Sequence, residues 1–226
     1  MEIVEQAVAV HGGAVLQRAI VTFDFRDYHF VVTRDDGMFS YERTYVEDGD
    51  SLREVLTNHG VSREINDEAV VMTEEDERRL LTPLNSVPYF ALLPLNLMDP
   101  AVQARSLGET TINDEPYYEI EVTFQEGGGG RDYQDRYVYW FHRLDYTMDF
   151  LAYTFHTGDG GTRFREAYNV RTINGVRFAD YHNYIADSLD SPDSPIETFD
   201  DLFQSGQVDL LSDIDLENII VEPLDR

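Results

Sequence analysis

The sequence contains neither cysteine nor lysine; all 17 basic residues are arginine, set against 44 acidic residues. Without cysteine there is no disulfide, no thiolate nucleophile, no cysteine zinc site and no iron–sulfur cluster. Without lysine no Walker-type phosphate clamp and no Schiff base can form. A formal net charge of −27 repels nucleic-acid phosphates and argues against a nucleic-acid partner. No run approaches the roughly 18 apolar residues that would cross a bilayer as a helix. The opening residues, MEIVEQAVAVHGG, have no basic leader and do not read as a signal peptide.

What remains is enough for a folded core. The 226 residues are 42% hydrophobic and 12% aromatic, which separates this acidic chain from disordered ones. Acid spread along a globular chain without lysine fits a host whose proteins work in concentrated salt, where self-repulsion is screened within a few ångströms. The alternative is a merely acidic protein from a GC-rich genome.

Residues 3–11 carry apolar side chains at helical spacing and are stopped by Gly12 and Gly13. AIVTFDF, YHFVVT, MFSYERTYV, SLREVLTNHG and EAVVM read as short strands, with turns at Asp35-Asp36-Gly37 and Asp48-Gly49-Asp50. Thr73 followed by Glu74, Glu75 and Asp76 is a helix start. The apolar stretch after it is interrupted by Pro83, Pro88, Pro94 and Pro100, which predicts broken helices over 73–104 lying on a sheet. After Gly108 longer strands return as a meander, broken by the Gly127–Gly130 connection and closed by an Asn174-Gly175 hairpin. An acidic C-terminal extension, 187–226, holds a short helix at 197–204 and a return to the sheet over 208–221. The expectation is one domain, 1–226, mainly β (α+β). It would be a single curved antiparallel sheet of about ten strands, an open half-barrel with helical segments against its concave face.

A two-residue turn at Asn174-Gly175 pairs Asn169 with Asp180, Ala167 with His182, Arg165 with Tyr184 and Arg171 with Phe178. One face then carries Trp140, Leu151, Tyr153 and Phe155 with Arg163, Arg165, Asn169, Arg171, Asp180 and His182. The other carries Tyr139, Phe150, Phe164, Tyr168 and Tyr181. A slip of one residue exchanges the faces. The first set is a candidate polar or anion site, or a ladder of ion pairs. The second is core, or the wall of a cavity for an apolar chain. Tyr89, Phe90, Leu92 and Leu93 would form its movable cover. The six histidines show no close metal pair, and Asp213-x-Asp215-x-Glu217 lacks the glycine and terminal glutamate of a calcium loop. No metal and no cofactor is expected.

Several strings, AVHGG, NSVPYFALLPLNLMDPAV, YEIEVTF, DRYVYW and RFREAYNVRTINGVRFADYHNY, resemble a family of uncharacterised bacterial envelope proteins. The resemblance spans nearly the whole chain. It implies a fold related to the LolA/LolB-like outer-membrane lipoprotein carriers and a periplasmic or outer-membrane-associated location. It supplies no catalytic residue. Three functions stay open. One is binding or carrying an apolar ligand: a lipid, an acyl chain or a lipoprotein segment. The second is a non-catalytic envelope interaction module. The third is an enzyme in which Asp180 orients His182 as general base beside Arg165 and Asn169.

Overall fold

The computed structural model describes residues 2–125 and 133–225; the Gly127–Gly130 connection lies outside the described residues. The chain opens with α1 (Glu2–Val10) and a single turn, α2 (Gly13–Leu16). A meander follows: β1 (Arg18–Phe25), β2 (Tyr28–Asp35), β3 (Met38–Glu47), β4 (Asp50–Thr57), β5 (Gly60–Ile65) and β6 (Glu68–Ala69). Next come α3 (Glu74–Ala91) and a 3-10 turn, Leu95–Met98. A second meander holds β7 (Val102–Ile112), β8 (Glu115–Phe124), β9 (Tyr137–His142), β10 (Met148–Phe155), β11 (Gly161–Ile173) and β12 (Val176–Ile185). The chain ends with α4 (Phe199–Gln204), β13 (Asp209–Ile214) and β14 (Glu217–Pro223).

These strands form two antiparallel sheets of seven, not one sheet of about ten. The first runs β14-β1-β2-β3-β4-β5-β6 and the second β13-β12-β11-β10-β9-β8-β7; neither is closed. Alternation along a strand fixes which side chains share a face, but not which strands share a sheet. The C-terminal return divides accordingly, β13 joining the second sheet and β14 the first. By packing, the chain falls into two compact units. One comprises Gly12–Leu95, Arg171–Phe178 and Asp215–Arg226; the other comprises Met1–His11, Asn96–Val170 and Ala179–Ile214.

In the first-sheet unit, cross-strand register builds one buried face. Val21 opposes Val32, Phe23 opposes Phe30, Val32 opposes Tyr41, and Tyr41 opposes Leu56. The expected turns are present, with Asp36 and Asp48 in the left-handed region that short polar side chains tolerate. α3 starts where the sequence predicts. The Thr73 hydroxyl accepts the Asp76 N–H, and the Asp76 carboxylate accepts the Thr73 N–H. It is, however, one continuous helix of 18 residues containing Pro83 and Pro88, rather than broken pieces. Each proline forfeits a helical hydrogen bond. Burial of Leu80, Leu84 and Pro88, four residues apart on one stripe, offsets that loss, and α3 packs on β3, β4 and β5. The helical segment ends sooner than expected, because β7 begins at Val102.

In the second-sheet unit the acidic segment after Ile185 is anchored by apolar side chains. Leu189, Ile196 and Phe199 are buried in one cluster with Ile112, Tyr117, Val138, Trp140, Phe150, Ala152 and Phe164. Acidic side chains on this segment disguise three apolar anchors.

Candidate functional site

The second sheet corrects the face assignment in two places. Phe150 opposes Trp140 and Leu151 opposes Tyr139, so Trp140 shares a face with Phe150, Phe164 and Glu166. Tyr139 lies on the opposite face with Leu151, Tyr153, Arg163 and Arg165. Across β11 and β12, the Tyr168 and His182 rings stack at 4.0 Å, and the Tyr184 hydroxyl donates to Glu166 at 2.9 Å. These contacts are offset by one residue from the pairs expected of a two-residue turn. The Asn169 amide does meet Asp180 as expected, at 2.5 Å, and Asn169 has a φ of 46°.

The predicted polar set is therefore not one site. His182 Nδ1 pairs with Asp213 at 2.7 Å, not with Asp180. It stands with Tyr168, on the face opposite Arg165. Asp180 is held by Asn169. Arg165 is buried, donates to the Tyr153 hydroxyl at 3.0 Å and lies over the Tyr153 ring. Arg163 lies over Phe155, and Arg171 donates to the Leu216 carbonyl. The Asp180–His182 dyad required by the enzymatic reading is not formed.

Of the expected apolar wall, Phe150 and Phe164 are fully occupied by neighbours of their own chain. Phe164 is 0% exposed, stacked with Phe150 at 5.8 Å and with Phe199 at 5.5 Å. Trp140 and Phe203 close the same cluster. Tyr139 is buried in the aromatic row of the other face, stacked at 5.9 Å on Tyr137. Tyr168 and Tyr181 are half-buried. The face expected to hold a chain is thus largely filled by side chains, because 187–208 covers it.

That covered face also holds buried acid. Glu119 opposes Trp140 on β8 and β9, and one of its oxygens is buried without a hydrogen-bond partner. Burial first, and then the charges of Asp200, Glu197 and Asp201, push its carboxyl up to about 7. Asp200 accepts from the Thr110 hydroxyl at 2.8 Å, and burial raises it too. Among the described residues no group of three or more potential ligands is placed to hold a metal ion.

The first sheet offers a less complete cover. Tyr28, Phe39, Arg43, Tyr45, Val61, Arg63 and Ile65 lie on the face that contains Phe30, Tyr41, Leu52 and Leu56, yet all seven remain half-buried. Tyr28 meets Tyr45 edge-on at 5.0 Å, and Phe39 meets Tyr41 at 4.7 Å. In the same unit Tyr89 and Phe90 at the end of α3 are half-buried and edge-on at 5.6 Å; Leu92 and Leu93 are buried. At the centre Glu54 is 0% exposed and bound by two guanidiniums, Arg43 Nε at 2.5 Å and Arg63 Nη2 at 2.9 Å. Sequence reading missed this group. Its signal was present in alternation, since Arg43, Glu54 and Arg63 each interrupt an apolar row, but the pairing of three strands was needed to align them.

Two open antiparallel sheets with accompanying helices define a LolA-like fold. The chain superposes on a LolA superfamily protein of Nitrosomonas europaea with a TM-score of 0.53 and 13% identity, covering 99% of this chain and 94% of that one. Lower similarity links it to a DUF1329 family protein of Desulfovibrio piger (TM-score 0.42, 10% identity, 97% and 91% covered). A Vibrio parahaemolyticus domain assigned to outer-membrane lipoprotein sorting gives a TM-score of 0.43 at 8% identity, with 80% and 84% covered. Within that fold, residues 1–214 match the model of a family of unknown function, DUF6503, and the chain belongs to this family. The comparison with curated proteins gives no match.

Proposed function

We propose that this protein is a cell-envelope binder or carrier of an apolar ligand, such as a lipid, an acyl chain or the lipidated segment of a lipoprotein. The ligand would lie on the first sheet, between the half-buried aromatic face and the end of α3. One observation carries this reading. Tyr28, Phe39 and Tyr45 stay partly open, with Val61 and Ile65, on a sheet face whose Phe30, Tyr41, Leu52 and Leu56 are buried, and Tyr89 and Phe90 stay partly open in the same unit. Each CH₂ moved from water onto such a surface contributes about 0.8 kcal/mol. The LolA-like fold supports the reading and the envelope location that goes with it. The second-sheet residues Phe150 and Phe164 are removed from the ligand wall, and Tyr139, Tyr168 and Tyr181 are not required for it. A non-catalytic interaction module remains the second reading, favoured by the filled second-sheet face.

Mass spectrometry of an organic extract, from protein purified without detergent in molar salt, tests the proposal. A stoichiometric lipid or fatty acid, lost in Phe90→Asp but retained in Phe155→Asp, is the expected result. An empty extract that stays empty after incubation with envelope lipids would overturn it in favour of the interaction module.

A further inference from the structure

The two faces of the first sheet are charged in opposite senses. On one face Arg53 is shared by two carboxylates, Glu42 at 2.6 Å and Glu64 at 3.1 Å. On the other, two guanidiniums share one carboxylate. Arg43 opposes Glu54, and Glu54 opposes Arg63, in adjacent strands. Glu54 spends both oxygens: Oε2 accepts from Arg43, and Oε1 accepts from Arg63 and from the Tyr45 hydroxyl. Taken by itself the Arg43–Glu54–Arg63 cluster carries one net positive charge, on a mostly apolar face of a chain with net charge −27.

Beyond Glu54 neither guanidinium makes a second ion pair among the described residues, and Glu47 acts on Arg63 only at longer range. Arg43 stacks instead over Tyr28 at 4.9 Å and Tyr45 at 5.4 Å. Arg63 Nε is buried with no hydrogen-bond partner. The side chains are 11% and 27% exposed, so both can be reached without being fully hydrated. Leaving a charge half-desolvated and a donor unmet costs stability, and apolar replacements would avoid that cost. A ladder needed only for strand register would balance with one arginine.

We infer that Arg43 and Arg63 form a recognition point for a single anionic head group, a carboxylate or a phosphate monoester, carried on an alkyl chain. This rests on the apolar-ligand reading and specifies its head group. The chain would lie along Tyr28, Phe39 and Tyr45, with the anion completing the fourth corner of the Arg43–Glu54–Arg63 cluster. Free guanidinium N–H groups offer a carboxylate charge-assisted hydrogen bonds in a partly desolvated setting.

The test uses the full chain and two fluorescent probes, 11-(dansylamino)undecanoate and its methyl ester. The acid should bind about tenfold or more tightly than the ester, as charge-assisted bonds require. In Arg63→Met the acid-over-ester preference should fall to within about threefold, because one Arg43–Glu54 pair then remains neutral. Glu54→Gln, with its extra positive charge, should widen the preference instead. Circular dichroism checks that both variants fold. If they do not, arginine-blocking with dodecyl phosphate as competitor reads the same site in the unaltered protein. Displacement by dodecyl phosphate but not by dodecanoate would assign the head group to phosphate, and the reverse to carboxylate. Equal binding of acid and ester overturns the anion site but leaves apolar binding intact. Binding of neither overturns both.

Discussion

His11 joins the first helix to a strand 137 residues away: its Nε2 accepts the backbone N–H of Met148 at 3.3 Å, while Nδ1 meets the Ala7 carbonyl at 2.7 Å. The Met148 N–H can only donate, so Nε2 accepts there and Nδ1–H is the group that donates to the Ala7 carbonyl. Met148 lies at the β9–β10 register shift, and His11 accepts from its N–H there. His11→Leu keeps the bulk and removes both bonds inside a buried environment. It should cost about 1–3 kcal/mol in urea unfolding, with the m-value unchanged. No loss would mean that the shifted strand satisfies Met148 in another way.

Gly12 is fixed by contact as well as by conformation. Its φ is 88°, and a Cβ there would stand 2.4 Å from the Gly175 carbonyl oxygen and 2.8 Å from the Val176 Cα. Both obstacles are backbone, so neither can swing aside. Gly12→Ala should lower stability by roughly 2–4 kcal/mol or prevent folding, whereas Gly37→Ala, with a φ of 95° but open space, should cost about 1 kcal/mol. Equal thermal shifts for the two variants would contradict the close approach.

Glu119 makes stability depend on pH in a set direction. Its carboxyl is raised in the folded chain from 4.5 to about 7, so the fold holds a proton that the unfolded chain releases earlier. The stabilisation from the neutral form is complete below about 4.5, and is lost as pH climbs through about 7. Asp200 is raised as well and adds to the same trend. Glu119→Gln should therefore be more stable than the parent at pH 8, by on the order of 1–3 kcal/mol, and indistinguishable near pH 4. Melting temperatures across that range check it; a constant difference would show that charge is not the cause.

Salt should stabilise the chain. We infer from its −27 charge and the absence of lysine that it works in concentrated salt, where repulsion between carboxylates is screened. The unfolding midpoint should climb steadily as KCl is raised to molar concentration. A flat response would assign the composition to its genome instead.

The sequence by itself determined the chemical limits and much of the local structure. Missing cysteine and lysine exclude whole reaction classes. The Asp-Gly and Asn-Gly turns, the Thr73 start and Gly12 set the ends of elements, because each depends on the conformational freedom or hydrogen bonding of one or two residues. The family strings pointed to the LolA-like fold. Only the tertiary structure decided how the strands divide into two sheets, and which face is covered. Period-two alternation is indifferent to the choice of neighbour, and the offset beside Asn169 placed His182 with Tyr168, on the other face of the sheet from Arg165. Burial of Leu189, Ile196 and Phe199 closed the Phe164 face despite an acidic local sequence, since a few well-placed apolar side chains outweigh solvated charges around them. The Arg43–Glu54–Arg63 group was likewise written in three separate strands, and became one site only when antiparallel register set them side by side.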